Sequence, residues 1–161
     1  MNKQEVYAYL TEQKISYEVM EHRAVFNMED LDALERPYPA WDAKNLFVRD
    51  DKKRNYYLIT VRGDKRVDLK DFRRKHGLRA LSFASPDELF SIMKLIPGAV
   101  TPLGILNDEE RRVYFYLDQE FQENKIGIHP NENTATIWLQ ADDLMRLILV
   151  HGNEAEVVEI G

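Results

Sequence analysis

Short β-rich runs in this chain are interrupted by helical segments at irregular intervals. Hydrophobic periodicity predicts about seven strands and five helices. A doubly wound nucleotide-binding fold would need a regular alternation of strand and helix, and the glycine-rich phosphate fingerprint of that fold is missing. We therefore predict an α+β fold with a mixed sheet.

Two of these elements, a helix and a hairpin, have the clearest local sequence patterns. Ser85 is followed by proline at the first helical position and by Glu88, which is a capping-box pattern for a helix start. The β-rich runs 45–48 and 56–61 flank a charged tip, which predicts a hairpin.

Length and apolar runs limit the organisation of the chain. At 161 residues it fits one domain, and we expect residues 1–161 to form a single domain. Its longest apolar runs fall far short of the roughly 20 residues that a membrane span needs, and its polar start lacks a signal core. We therefore expect a cytoplasmic protein without a membrane partner.

The chain contains no cysteine, which removes disulfides, thiolate nucleophiles and sulfur-based zinc sites. The histidines lack metal-ligand spacing, so no metal site is indicated. The sequence gives no sign of an organic cofactor either.

Positive charge is concentrated in one stretch. The chain carries a net charge of -6, yet residues 44–79 hold 13 of its 22 Lys and Arg against five Asp. Such a stretch is typical either of a solvated face or of a surface that meets phosphates, and the pattern alone does not separate them.

Three segments could carry chemistry. Lys44 precedes an apolar strand, where an ammonium could bind a phosphate or stabilise an oxyanion, or could simply end the strand in solvent. His129 lies among polar residues at the entrance of another strand, where a histidine is either structural or functional. The loop 98–104 combines glycines with Thr101, as in a tight turn or a ligand-binding loop.

No serine or threonine has an obvious neighbouring base, and no pair of carboxylates stands out. A covalent nucleophile is therefore not indicated.

Taken together, these segments resemble the YbaK/aminoacyl-tRNA synthetase-associated family, and within it the free-standing prolyl-tRNA editing proteins. The matching motifs are Lys44-Asn45-Leu46-Phe47-Val48-Arg49-Asp50, Gly98-Ala99-Val100-Thr101-Pro102-Leu103-Gly104, and Gly127-Ile128-His129-Pro130 with Asn133-Thr134-Ala135-Thr136. Their order and spacing agree with the family along essentially the whole chain.

The resemblance implies a barrel-like mixed sheet flanked by helices. It also implies a deacylase that acts in trans on alanine esterified to proline-specific tRNA, with prolyl-tRNA synthetase as a candidate partner and no DNA target. Its site residues fall here in three groups. The catalytic candidates are Lys44, His129 and Gly98. The substrate-binding candidates are Asn45, Ala99, Val100, Thr101, Gly104, Gly127, Asn133 and Thr134. The tRNA-binding candidates are Lys52, Lys53, Arg54, Arg62, Lys65, Arg66, Arg73 and Arg74.

Three alternatives stay open. The substrate could be another mischarged tRNA, such as cysteine on proline-specific tRNA. The chain could instead be a non-catalytic module that binds aminoacyl-tRNA or a synthetase, or its pocket could take a small molecule unrelated to tRNA.

Overall fold

A computed structural model describes all residues, 1–161, and its larger sheet has five strands in the order β4-β2-β3-β5-β8. The strands are β2 (Ala43–Asp50), β3 (Tyr56–Arg62), β4 (Leu81–Phe83), β5 (Val113–Asp118) and β8 (Ala155–Val158). β2 pairs antiparallel with β3 and β4, while β3 with β5 and β5 with β8 are parallel pairs. The predicted mixed sheet and the predicted hairpin are both confirmed.

A second sheet has three strands in the order β1-β7-β6, and all its pairs are antiparallel. These strands are β1 (Tyr17–Glu21), β6 (Lys125–Ile128) and β7 (Ala135–Gln140). A single parallel bridge between Asp42 and Gly127 joins it to the larger sheet. The strands thus form two sheets instead of one closed barrel, within the predicted α+β class.

Five α-helices surround the sheets. They are α1 (Lys3–Glu12), α2 (Met28–Asp32), α3 (Leu69–His76), α4 (Pro86–Met93) and α5 (Ala141–His151). Short 3-10 helices lie at Pro39–Trp41, Pro102–Asn107 and Gln119–Phe121. The predicted capping box at Ser85 is present, since its side chain accepts from Glu88 N–H and the Glu88 carboxylate accepts from Ser85 N–H. No helix is both long and apolar enough to span a membrane.

The larger sheet separates two apolar clusters. On one face, Leu58 and Phe115 pack with Ile137 of the second sheet and with residues from α1, α4 and α5. On the other face, Phe72 of α3 packs with Tyr116 of β5. Side chains alternate along a strand, so β2 and β3 serve both clusters and fix the position of α3.

Glu88 ties α4 to the larger sheet. Its carboxylate accepts hydrogen bonds from the Ser85 N–H at 2.8 Å, the Tyr56 hydroxyl at 2.5 Å and the Arg49 guanidinium at 3.3 Å. Burial alone would raise the pKa of Glu88, but these hydrogen bonds outweigh it and lower the pKa to about 2.

Replacing Glu88 with glutamine should therefore lower the free energy of unfolding by about 2 kcal/mol at neutral pH. Because the folded-state pKa lies below the unfolded value, this contribution is present above about pH 4.3 and is lost as the pH falls toward 2. Urea unfolding of wild type and Glu88→Gln at neutral and acidic pH measures it. Asp87 is the exposed neighbour of Glu88, and Asp87→Asn should change the free energy of unfolding by at most about 1 kcal/mol. An equal loss in both variants would contradict the stabilising role of the Glu88 carboxylate.

Candidate active site

A cavity of about 310 Å³ lies where β2 and β6 meet the segment 25–31 and the glycine-rich loop. Six of the candidate site residues line it, namely Lys44, Asn45, Gly98, Val100, Gly127 and His129. The other lining residues are Val25, Phe26, Asn27, Met28, Leu31, Ala43, Ile128 and Thr136. The three sequence segments therefore converge on one site.

Lys44 supplies the cavity with a cation that has no carboxylate partner. Its ammonium donates a hydrogen bond to the backbone carbonyl of Lys65 and takes part in no ion pair. Burial lowers the pKa of Lys44, the nearby Arg66 lowers it further, and Asp64 opposes them. An incompletely solvated ammonium without a counter-charge is suited to bind a phosphate or a developing oxyanion.

Asn45 connects β2 to the glycine-rich loop. Its amide donates to the Val100 carbonyl at 3.3 Å, and its side-chain oxygen accepts from the Thr60 hydroxyl at 2.6 Å. Both ends of the side chain are thus engaged within the protein. This arrangement fixes the loop against the strand that carries Lys44.

The glycine-rich loop reaches the cavity through Gly98 and Val100. Gly98 has a φ of +91°, and a Cβ there would lie 2.9 Å from Cδ1 of Phe26, so a larger residue would be both strained and crowded. The N–H groups of Gly98 and Val100 donate to no protein acceptor. They are therefore available to a ligand.

The remaining loop candidates lie behind the cavity wall. Thr101 is buried, and its hydroxyl donates to the His129 carbonyl at 2.7 Å, which links the loop to the histidine segment. Ala99 is buried too, and Gly104 packs against Leu95 and Met93 in the core. None of the three lines the cavity.

His129 has one ring nitrogen engaged and the other unengaged. Its Nδ1 lies 2.8 Å from the Ala135 carbonyl, which can only accept, so Nδ1 carries the proton and the neutral ring keeps a lone pair on Nε2. Burial lowers the pKa of His129, against the opposing effect of the Ala135 hydrogen bond, and His22 at a ring distance of 6.1 Å lowers it further. His129 is therefore neutral at neutral pH.

This lowered pKa makes the stability of the protein depend on pH. Below about pH 6.5 the unfolded state binds a proton that folded His129 resists, so stability should fall as the pH drops below that value. Urea unfolding at about pH 5 and pH 7.5 should show a smaller difference for His129→Gln than for wild type, with His151→Gln as the histidine control. The same pH dependence in wild type and His129→Gln would contradict the burial argument.

Asn133 and Thr134 support the site from outside. Their carbonyls accept from the N–H groups of Val25 and His22, at 3.1 and 2.9 Å, and the Thr134 hydroxyl accepts from Lys3. Neither residue lines the cavity. These hydrogen bonds hold in place the segment that leads into the far wall of the cavity.

Gly127 occupies a position that only glycine fits. A Cβ there would lie 2.5 Å from the Trp138 indole nitrogen and 2.7 Å from a carboxylate oxygen of Asp42. Because both are buried groups, a side chain could not be accommodated without displacing them.

The wall formed by residues 25–31 is not among the candidate site residues, and Thr136 belongs to a matching motif but was given no role in the site. Met28 and Leu31 have the spacing of an ordinary core-facing helix, and Phe26 precedes the capping residue Asn27. In the structure Phe26 is 64% exposed, although it is a large aromatic side chain. Exposure cannot be read from the sequence, so no sequence signal marks this wall. The Thr136 hydroxyl lies 2.8 Å from Nε2 of His22, a histidine that has no ligand spacing in the sequence.

The tRNA-binding candidates fall into two groups. Arg62 and Lys65 form ion pairs with Glu120, and Lys65 also pairs with Asp118. The other candidates form no ion pair, and they are Lys52, Lys53, Arg54, Arg66, Arg73 and Arg74. Lys52, Lys53 and Arg54 lie at the turn after β2, about 20 Å along the strand from Lys44.

Comparison with known proteins agrees with this site. The profile of the "Aminoacyl-tRNA editing domain" family matches residues 22–147, which include all the cavity-lining residues. The Prolyl-tRNA editing protein ProX of Acetoanaerobium sticklandii is 38% identical over 159 residues, covering 98% of this chain and 97% of that protein. Prolyl-tRNA synthetase associated domain-containing protein 1 of Mus musculus is 33% identical over 145 residues, covering 87% and 85%.

A solved structure of a candidate trans-editing enzyme for prolyl-tRNA synthetase has the same fold. Its TM-score is 0.72 at 21% identity, and the match covers 98% of this chain and 95% of the other. The resemblance seen in the three motifs is thereby confirmed, and this chain belongs to the aminoacyl-tRNA editing domain family of hydrolases.

Proposed function

We propose that this chain is a cytoplasmic trans-editing deacylase that releases alanine from mischarged tRNA(Pro), with residues 1–161 acting as one editing domain. The observation that carries the proposal is the cavity itself. It combines the unpaired cation of Lys44, two free backbone N–H groups of the glycine-rich loop and the neutral ring of His129. Its relative ProX is named as a prolyl-tRNA editing protein, which directs the proposal toward tRNA(Pro).

The reaction is the attack of a water molecule on the ester carbonyl between the amino acid and the terminal ribose. Negative charge develops on the carbonyl oxygen, and preorganised donors stabilise it. The N–H groups of Gly98 and Val100 are suited to that role, while Lys44 binds the terminal nucleotide or the same developing charge. Positioning and electrostatic stabilisation therefore replace a covalent nucleophile.

Proton transfer has two candidate carriers. His129 keeps a lone pair on Nε2 and can accept a proton from the attacking water. A free hydroxyl of the terminal ribose can assist in its place, because it lies next to the scissile ester.

Selectivity follows from the apolar wall. Val25, Met28 and Leu31 are apolar lining residues of the cavity, and we infer that the amino acid lies against them. We expect a methyl side chain to fit against this wall and a bulkier ring to clash with it, and steric exclusion separates substrates more sharply than the about 1 to 3 kcal/mol of one favourable methylene contact. The enzyme would thus spare correctly charged prolyl-tRNA.

The test is release of labelled amino acid from alanyl-, cysteinyl- and prolyl-tRNA(Pro). Rapid release of alanine with sparing of proline supports the proposal. Preferential release of cysteine assigns the sister substrate, and binding of all three without release assigns a non-catalytic aminoacyl-tRNA module. Co-purification with prolyl-tRNA synthetase, with or without tRNA(Pro), tests that enzyme as the partner.

The two groups of basic residues should contribute unequally to tRNA binding. Each phosphate contact that is lost lowers the slope of log affinity against log salt by about 1. We expect this decrease for Lys52→Gln, whose ammonium has no ion pair, and a smaller one for Arg62→Gln, whose guanidinium already pairs with Glu120. Fluorescence anisotropy of labelled tRNA(Pro) at several salt concentrations measures both slopes. Equal slopes in wild type and Lys52→Gln would mean that the hairpin tip is only a solvated face.

A further inference from the structure

A second depression, here named the tyrosine groove, has a volume of about 660 Å³. It lies where β3 and β5 begin, whereas the candidate active site lies where β2 begins and β3 ends. Its lining residues are Arg54, Asn55, Tyr56, Tyr57, Leu78, Glu110, Arg111, Arg112, Val113, Tyr114, Tyr116, Gly152 and Glu154. It shares no residue with the candidate active site.

Three guanidinium groups face the groove without an ion-pair partner, those of Arg54, Arg111 and Arg112. Arg111 is held in place, since it donates to the carbonyls of His151, at 3.0 Å, and Glu109. Its backbone adopts a left-handed φ of +54°, and its side chain lies against Gly152. An arginine fixed by carbonyl groups keeps its full charge available to an anion.

Aromatic rings line the groove. On the face of the sheet that carries α3, the ring centroid of Tyr114 lies 4.7 Å from that of Tyr116 and 6.3 Å from that of Tyr57. Tyr56 belongs to the cluster on the other face, and the Arg112 guanidinium lies 4.8 Å from its ring centroid. Tyr114 is partly exposed, so its ring can be reached by a planar ligand. The carboxylates of Glu110 and Glu154 add acceptors at the same groove.

This set of groups matches one ligand class. Guanidinium groups bind a phosphate, a tyrosine ring stacks with a base, and a carboxylate accepts from the exocyclic amine of a base. An inorganic anion alone would use only the arginines.

Helix α3 connects the groove to the candidate active site. Arg66, just before the helix, is close enough to Lys44 to lower its pKa, and Leu78, just after the helix, lines the groove. The helix spans about 12 Å and exposes Lys70 and Arg74, which form no ion pair, and Lys75, which pairs with Asp71. Cationic side chains thus continue from one site to the other.

We propose that the tyrosine groove binds an unpaired nucleotide of the tRNA substrate, away from its aminoacylated end. The proposal rests on the proposed function for the identity of the RNA. It adds a base-stacking contact to the phosphate contacts of the basic stretch.

The test uses uncharged tRNA(Pro) as the probe and measures its affinity by fluorescence anisotropy. The Arg54→Gln/Arg112→Gln double variant should bind at least about fivefold more weakly and lower the salt slope by about 2. Tyr114→Leu should bind about fivefold more weakly with an unchanged slope, as expected for a lost base stack. The control is Arg146→Gln on α5, which removes one positive charge outside the groove and should bind like wild type.

A short substrate distinguishes an effect on binding at the groove from an effect on ester hydrolysis. The alanyl ester of adenosine is too small to reach the groove, so Arg112→Gln and Tyr114→Leu should hydrolyse it at the wild-type rate. Wild-type tRNA affinity in both groove variants would overturn the proposal, and a loss in the arginine variant alone would overturn the assignment to a nucleotide. Arg54 also belongs to the hairpin tip, whereas Arg112 is exposed and lies outside the basic stretch, so Arg112→Gln alone decides the arginine arm if the double variant misfolds.

Failure of the proposed function would look different. In that case wild type would release no amino acid from any charged tRNA or from the short ester. Weaker tRNA binding by the groove variants would then still support the groove as a nucleotide site.

Discussion

Replacing Lys44 with alanine is expected to lower the turnover of mischarged tRNA by about 100-fold or more. Removing one donor to an oxyanion typically costs about 2.7 to 4 kcal/mol of transition-state stabilisation. Lys44 is the only unpaired cation among the cavity-lining residues, so no neighbouring cation there can replace it. Single-turnover release of labelled alanine from alanyl-tRNA(Pro) measures the effect.

The kinetic constants distinguish the two roles of Lys44. A loss confined to KM would mean that the ammonium binds the terminal nucleotide equally in the ground state and the transition state, whereas a loss in kcat would mean that it acts on the developing charge. Lys70→Ala is the matched control, because Lys70 is an exposed lysine of the same basic stretch. A wild-type rate in Lys44→Ala would remove Lys44 from the catalytic assignment.

Local signals determine the secondary structure, which could therefore be predicted from the sequence. The Ser85 capping box and the proline after it specify the start of α4, and the two β-rich runs around the charged tip specify the β2–β3 hairpin. The parallel pairs of β5 with β3 and β8 could not be predicted in the same way. They depend on long-range packing, which leaves no local pattern.

The candidate site was only partly accessible from the sequence. Lys44, Gly98 and His129 belong to motifs that could be compared with a family, and the structure brings them to one cavity. The ion pairs of Arg62 and Lys65 with Asp118 and Glu120 join residues more than 50 positions apart. The distribution of charge along the sequence therefore does not distinguish these two residues from the unpaired cations.

A buried ion pair supports the wall of the site from behind. The Arg36 guanidinium donates to the Asp42 carboxylate and to the carbonyls of Leu31, at 2.8 Å, and Leu34, at 3.3 Å. The side chains of Arg36 and Asp42 are only 6% and 1% exposed. Burial raises the pKa of Asp42 and Arg36 opposes that rise, so the pair tolerates the buried charge only while both partners are present.

Replacing Asp42 with alanine should consequently lower the free energy of unfolding by about 3 to 5 kcal/mol, because Arg36 is left buried without its main counter-charge. Asp32→Ala removes the second carboxylate bound to the same guanidinium, and since Asp32 is 65% exposed we expect a loss of at most about 1 kcal/mol. Urea unfolding of both variants, with Asp42→Asn to separate lost charge from lost volume, measures the difference. Similar losses in Asp42→Ala and Asp32→Ala would show that the buried pair does not hold α2 against β2. In that case the apolar packing of Leu31 alone would fix the cavity wall, and the fold would not depend on a charge two residues from Lys44.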